Sequence, residues 1–256
     1  MIGVFDSGVG GLTVIKKMQE KLPGLSFIYL GDNARTPYGN RSRDIVIRYG
    51  EEDVEFLISR GAKAIIIACN TASALAGEHL KNKYKLPIFE VITPAAEEAV
   101  ALGGKRIAVI GTRATINSGA HRMALEEISP DVVVLNQSCP LFVPLVEENW
   151  VNRPEAKMVA RRYLTPLKKN NVDSLILGCT HYPLLRRIIQ DKVGRRVKLI
   201  DPAEAVVNVL SKYVSTQKDI DYSGSEEYFA TDTGSRFQEI GSRWLGKPIE
   251  VKKAEL

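Results

Sequence analysis

Seven short, predominantly apolar runs, each followed by a polar loop and an amphipathic stretch, constrain this chain more than any other feature. They occupy residues 2–5, 26–30, 64–68, 88–91, 106–110, 132–135 and 174–177. A strand buried on both faces reads as a continuous hydrophobic run rather than an alternating one, and such strands separated by helical patterns indicate parallel βα units. Helical spacing fits the gaps. Leu12, Ile15 and Leu22 line one face until Pro23-Gly24 stops it, and Ile45, Tyr49, Val54 and Leu57 mark a longer helix after a Ser42 cap. Further helices are predicted over 93–102, 116–128, 154–169, 183–192 and 202–215, each starting near a proline or hydroxyl. The fold class is therefore α/β.

The chain also echoes itself. Ala64-Ile65-Ile66-Ile67-Ala68-Cys69-Asn70-Thr71 resembles Ser174-Leu175-Ile176-Leu177-Gly178-Cys179-Thr180-His181, 110 positions later. Ile2 to Asp6-Ser7 is matched by Ile107 to Gly111-Thr112 at a nearly equal offset. Two similar halves facing each other account for both matches. We place the first at 1–92 together with 206–256, to which the chain returns, and the second at 93–205.

Other classes fall away on composition. Hydrophobic residues make up 45% and charged residues 25%, ample for a packed core and contrary to disorder. The longest apolar run, from Ala64 to Cys69, is far below the ~18 residues of a membrane span, and no basic-then-apolar segment opens the chain, so a cytoplasmic location and no membrane partner are expected. The net charge of +5 is scattered rather than gathered into a stripe, which argues against a nucleic-acid partner and suits a small anion. Three cysteines without paired spacing exclude a disulfide framework and a zinc site.

In parallel sheets, ligands bind beyond the carboxyl ends of the strands. The residues there are Asp6-Ser7, the stretch from Gly31-Asp32 to Pro37-Tyr38-Gly39, Cys69-Asn70-Thr71, Thr112 to Thr115, and Cys179-Thr180-His181. Structural cysteines sit inside hydrophobic runs, whereas Cys69 and Cys179 each end one. A thiol at such a junction feels the dipole of the following helix, which should lower its pKa from about 8.5 toward neutrality. Phosphatase chemistry would need an arginine at position 185 or 75, where Leu185 and Leu75 stand. A cysteine–histidine protease would leave one thiol unexplained. A pair acting on opposite faces of one carbon explains both. Cys139, with no strand ahead of it, reads as structural, and His79 and His121, inside helical stretches, receive no role.

These residues closely resemble the cofactor-independent glutamate racemases of bacterial cell-wall synthesis, over nearly the whole chain. The carriers are Phe5-Asp6-Ser7-Gly8-Val9-Gly10-Gly11-Leu12-Thr13, Gly31-Asp32 with Pro37-Tyr38-Gly39, Ala68-Cys69-Asn70-Thr71-Ala72-Ser73, Gly111-Thr112 with Thr115, Glu147, and Gly178-Cys179-Thr180-His181-Tyr182-Pro183. The resemblance implies two pseudo-symmetric α/β domains with the site in the cleft between them, no cofactor and no metal. It implies Cys69 as the base toward D-glutamate, Cys179 as the base toward L-glutamate, and Asp6 and His181 as their proton-handling assistants. It places Ser7, Pro37, Tyr38 and Gly39 at the side-chain carboxylate and Asn70, Thr71, Thr112, Thr115 and Thr180 at the amino-acid end, with Glu147 within reach. It leaves a homodimer open.

Two rivals stand beside this reading. Gly8-x-Gly10 after a strand, with Asp32 beyond the next, partly fits a dinucleotide-binding oxidoreductase, but Thr13 occupies the third glycine position. An aspartate racemase or related two-cysteine isomerase shares the chemistry and differs only in substrate length.

Overall fold

A computed structural model describes all 256 residues, Met1–Leu256. Ten strands form two sheets. In the first half β1 (Ile2–Asp6), β2 (Phe27–Gly31), β3 (Ala64–Ile67) and β4 (Ile88–Glu90) alternate with α1 (Leu12–Lys21), α2 (Arg43–Ser59) and α3 (Asn70–Lys83). The helix α4 (Ile92–Ala101) leads to β5 (Arg106–Gly111), then α5 (Arg113–Asn117), α6 (Ala120–Ile128), β6 (Val133–Ser138), α7 (Phe142–Glu147), α8 (Pro154–Lys169) and β7 (Ser174–Gly178). The chain continues through α9 (Arg186–Val193), β8 (Lys198–Ile200), α10 (Pro202–Val214), β9 (Glu226–Ala230), α11 (Ser235–Leu245) and β10 (Val251–Lys253). No helix is long and apolar enough to cross a membrane.

The echo in the sequence is an echo in topology. One sheet runs β10-β9-β2-β1-β3-β4 and the other β6-β5-β7-β8, so β2-β1-β3-β4 and β6-β5-β7-β8 share one strand order. Every pairing is parallel. The registers match too, because Ile2 pairs with Ala64 as Ile107 pairs with Ser174. Continuous apolar runs follow from burial on both faces. Ala64 and Ile66 face the largest core, of 45 residues, while Ile65 and Ile67 face a separate cluster under α2 and α3. Ala108 and Ile110 enter that same largest core while Ile107 and Val109 join a third cluster under α4 and α6, so the main interior is shared by both sheets. Between them, α1 packs on α10 and α10 on α4.

Three differences from the expected elements have local causes. The helix predicted over 116–128 is two helices, because Gly119 takes a left-handed φ of 71° and restarts the chain at α6. The helix predicted from Pro183 begins as a 3-10 turn, Tyr182–Leu185, and becomes α-helical only at Arg186. The strands β8, β9 and β10 had no apolar run to announce them, since Lys198, Glu226, Glu227, Lys252 and Lys253 interrupt them.

Candidate active site

Parallel strands in both sheets end at one cavity, with about 480 Å³ of free space counting its mouth, which opens to solvent. Ser7, Pro37, Tyr38, Gly39, Cys69, Asn70, Thr71, Thr112, Glu147, Cys179, Thr180 and His181 all line it, and so do Gly8, Thr36, Val143 and Gly178, which had been given no role in the site. The halves touch closely here: a Cβ at Gly10 would come within 2.7 Å of the His181 ring and collide with Thr180 Oγ1. Thr13 Oγ1 donates to the Thr180 carbonyl at 3.1 Å across the same seam. No lysine or arginine lines the cavity, which leaves hydroxyls, the Asn70 amide and backbone N–H groups as donors.

Cys69 is the N-cap of the 14-residue α3, with its carbonyl accepting from Ser73 N–H and Ser7 Oγ 3.4 Å from its Sγ. Cys179 lies just past β7, and its Sγ is 3.9 Å from His181 Nδ1. The other ring nitrogen of His181 is 3.0 Å from Glu147 Oε1, and the edge of the ring meets Trp244 with centroids 5.5 Å apart. Hydrogen bonding to His181 holds the Glu147 carboxyl below its ordinary range. Glu147, which sequence reading could only place near the site, is a cavity residue bonded to His181.

The helix-dipole expectation for the thiols is reversed. Burial pushes Cys69 up to about 11, against weaker downward pulls from Ser7 and the Ala72 N–H, and burial pushes Cys179 up farther still. Desolvation of a thiolate outweighs a helix end when the thiol is enclosed. Cys139 is fully buried away from the cavity, its Sγ facing the Gln137 carbonyl.

Two predicted site residues lie one layer behind the wall. Asp6 is 1% exposed; it accepts from Gly8 N–H at 3.1 Å and from Thr180 Oγ1 at 3.4 Å, and makes no hydrogen bond to Cys69. Burial raises its pKa, with His181 opposing. Asp6 is thus a strut between the Cys69 side and the Cys179 loop. Thr115, 1% exposed, closes a triangle of hydroxyls with Thr71 and Thr112, each contact 3.0–3.1 Å, and so fixes two cavity threonines from opposite halves.

Tyr38 lines the cavity, and its hydroxyl is turned into a buried cluster with Asp32, Asp53 and Arg35. The phenolic proton and the Arg35 guanidinium serve both carboxylates, and burial and the neighbouring Asp32 push Asp53 well up. The cluster anchors the Pro37-Tyr38-Gly39 loop against α2 and leaves backbone groups of that loop for a ligand. No local pattern in the sequence announces Asp53, which lies inside α2.

The family model described as Asp/Glu/Hydantoin racemase matches residues 2–210. The chain is 44% identical over 249 residues to a glutamate racemase of Geobacter metallireducens, covering 96% of this chain and 92% of that protein. Among solved structures, a glutamate racemase isoform of Bacillus anthracis superposes with a TM-score of 0.95 at 38% identity, covering 100% of this chain and 97% of that one. The glutamate racemase of Francisella tularensis in complex with D-glutamate superposes with a TM-score of 0.91 at 35% identity, covering 99% and 97%.

Proposed function

The chain belongs to the Asp/Glu/Hydantoin racemase family, and from that premise we propose that it interconverts L- and D-glutamate with its own side chains, through Cys69 and Cys179 acting on opposite faces of the α-carbon. The observation that carries this reading is two thiols delivered to one cavity by strands in matching positions of two matching sheets. The relative solved with D-glutamate bound supports the substrate. We likewise divide the chain into 1–92 with 206–256 and 93–205, a division supported by sheet membership.

An amino-acid α-proton is weakly acidic, so the work falls on placement and electrostatics. Starting from D-glutamate, the Cys69 thiolate takes the α-proton while the Cys179 thiol gives its own to the other face; the electron pair left on carbon accepts that proton, and charge and atoms balance. The reverse direction exchanges the two roles. Burial favours the protonated form of both thiols, so the thiolate must be made as substrate binds. The ammonium group of the substrate favours the charged sulfur as it enters. His181, bonded to Glu147, relays the proton at Cys179, and Asp6, tied to Thr180, supports both loops from behind. Ser7 and the Tyr38-Gly39 backbone hold the side-chain carboxylate, and Asn70, Thr71, Thr112 and Thr180 the amino-acid end. D-glutamate made this way would feed peptidoglycan synthesis in the cytoplasm.

The test is circular dichroism of L- or D-glutamate incubated with the protein, without added cofactor and with chelator. Decay of either signal to zero is expected; loss on exhaustive dialysis that is restored by a cofactor would overturn the reading. Aspartate, one methylene shorter, leaves one set of donors unpaired and should be turned over at least about tenfold less efficiently.

A further inference from the structure

Asn70 has half of its amide committed before any ligand arrives. It follows Cys69 and lines the cavity, and its Oδ1 is 3.3 Å from Nε2 of His121. His121 is carried by α6 in the opposite half and is 2% exposed. The ring also abuts Gly178, where a Cβ would lie 3.2 Å from Nε2. One imidazole therefore touches the residue after one thiol and the residue before the other. Its Nδ1 is buried without a partner.

That orphan fixes the tautomer. A proton on Nδ1 would bury an unpaired N–H and set the Nε2 lone pair against the Asn70 carbonyl oxygen. A proton on Nε2 donates to Oδ1 and leaves only a bare acceptor, the cheaper arrangement. Burial lowers the ring to about 4, so it is neutral across the physiological range.

We propose that His121 is a positioning residue for substrate binding: by donating from Nε2 to Asn70 Oδ1 it locks the amide and turns the Asn70 Nδ2–H donors toward a substrate carboxylate in the cavity. Without that donor the amide can rotate and present its oxygen to the anion, which repels. The inference rests on the cavity being a glutamate site.

Two variants separate positioning from packing. His121→Leu keeps the volume and removes the donor, whereas His121→Gln keeps an N–H near the place of Nε2. We expect KM for glutamate to rise about tenfold in His121→Leu with kcat within about threefold, the mark of lost uniform binding. His121→Gln should return KM to within about threefold of the parent. In an Asn70→Ala background, His121→Leu should add nothing. A parent KM in His121→Leu, an equal defect in His121→Gln, or additivity with Asn70→Ala overturns the proposal. Long-range proton–nitrogen NMR of the parent gives an answer independent of turnover. A neutral Nε2–H tautomer at pH 7, with faster exchange of that proton in Asn70→Ala, is expected, and an Nδ1–H tautomer or an imidazolium overturns it. A parent that leaves glutamate optically unchanged sinks the functional reading, and the NMR result then still decides whether His121 donates to Asn70.

Discussion

The two halves agree in strand order and differ in what stands behind each thiol. β1 ends in Asp6, but the matching end of β5 is Gly111. Cys69 opens a 14-residue helix and has the Ser7 hydroxyl beside it, whereas Cys179 is followed by a single 3-10 turn and faces a histidine bonded to a carboxylate. The backbone is repeated; the side chains beside each thiol are not. A repeated backbone suffices to bring two thiols to one cavity, and the unrepeated groups make each thiol answer to a different neighbour.

The equivalence of the thiols breaks most visibly on deletion. Cys69→Ala and Cys179→Ala should each lower racemisation by about a thousandfold or more in both directions, since each face needs its own acid–base group. Cys139→Ala should match the parent, and dichroism with each enantiomer decides. In deuterated water the product should carry deuterium while unreacted substrate stays protonated at first; early label in both pools would mean that a single base serves both faces.

The seam between the halves comes next. Gly10→Ala drives a methyl group into Thr180 and His181, and a displacement of that kind should cost roughly a hundredfold in kcat/KM. The melting temperature tells whether the loss is local, and parent-level activity would show that the Cys179 loop is not held against β1. Smaller losses, on the order of tenfold to a hundredfold, are expected for Asp6→Asn and His181→Asn. Because the enantiomers are equal in free energy, kcat/KM must fall equally in both directions, so the distinction between the halves will show in the separate kcat values for L- and D-glutamate.

The smallest effect concerns acidity. With Cys69 pushed up to about 11 and Cys179 farther, a protein retaining only Cys69 should be alkylated by iodoacetamide at a rate that rises through about pH 11, and one retaining only Cys179 should need higher pH. The same shift favours the protonated thiol in the folded state. Its contribution to stability is full below the ordinary thiol value of 9.0 and is lost as pH rises through about 11. Cys69→Ala should flatten that decline in denaturant melts. Equal alkylation profiles would mean that the two enclosures are alike.

Seven strands were legible because burial on both faces writes a continuous apolar run, and the thiol pair was legible because both cysteines end such runs. The strands β8–β10 were not, since three to five residues carrying Lys and Glu resemble a loop. The direction of the thiol shifts was hidden because a helix start can be read from local residues, whereas enclosure depends on both halves. The hydroxyl partners of Tyr38 and the surroundings of His121 and Asp53 were hidden for a related reason. The partners that give each side chain its use are Asp32 and Asp53, Asn70 and Gly178, and Arg35 and Tyr38, and several of these lie tens of residues away in the chain.

The 45-residue core takes side chains from both sheets, Val4 and Ile66 from one and Ala108 and Leu175 from the other. Neither sheet owns a complete interior. Pulling the halves apart would wet that shared surface, so thermal melting should run as one cooperative transition, with no stage at which one half stays native while the other unravels. Local fluctuation is then left to the loops at the strand ends, where the cavity opens.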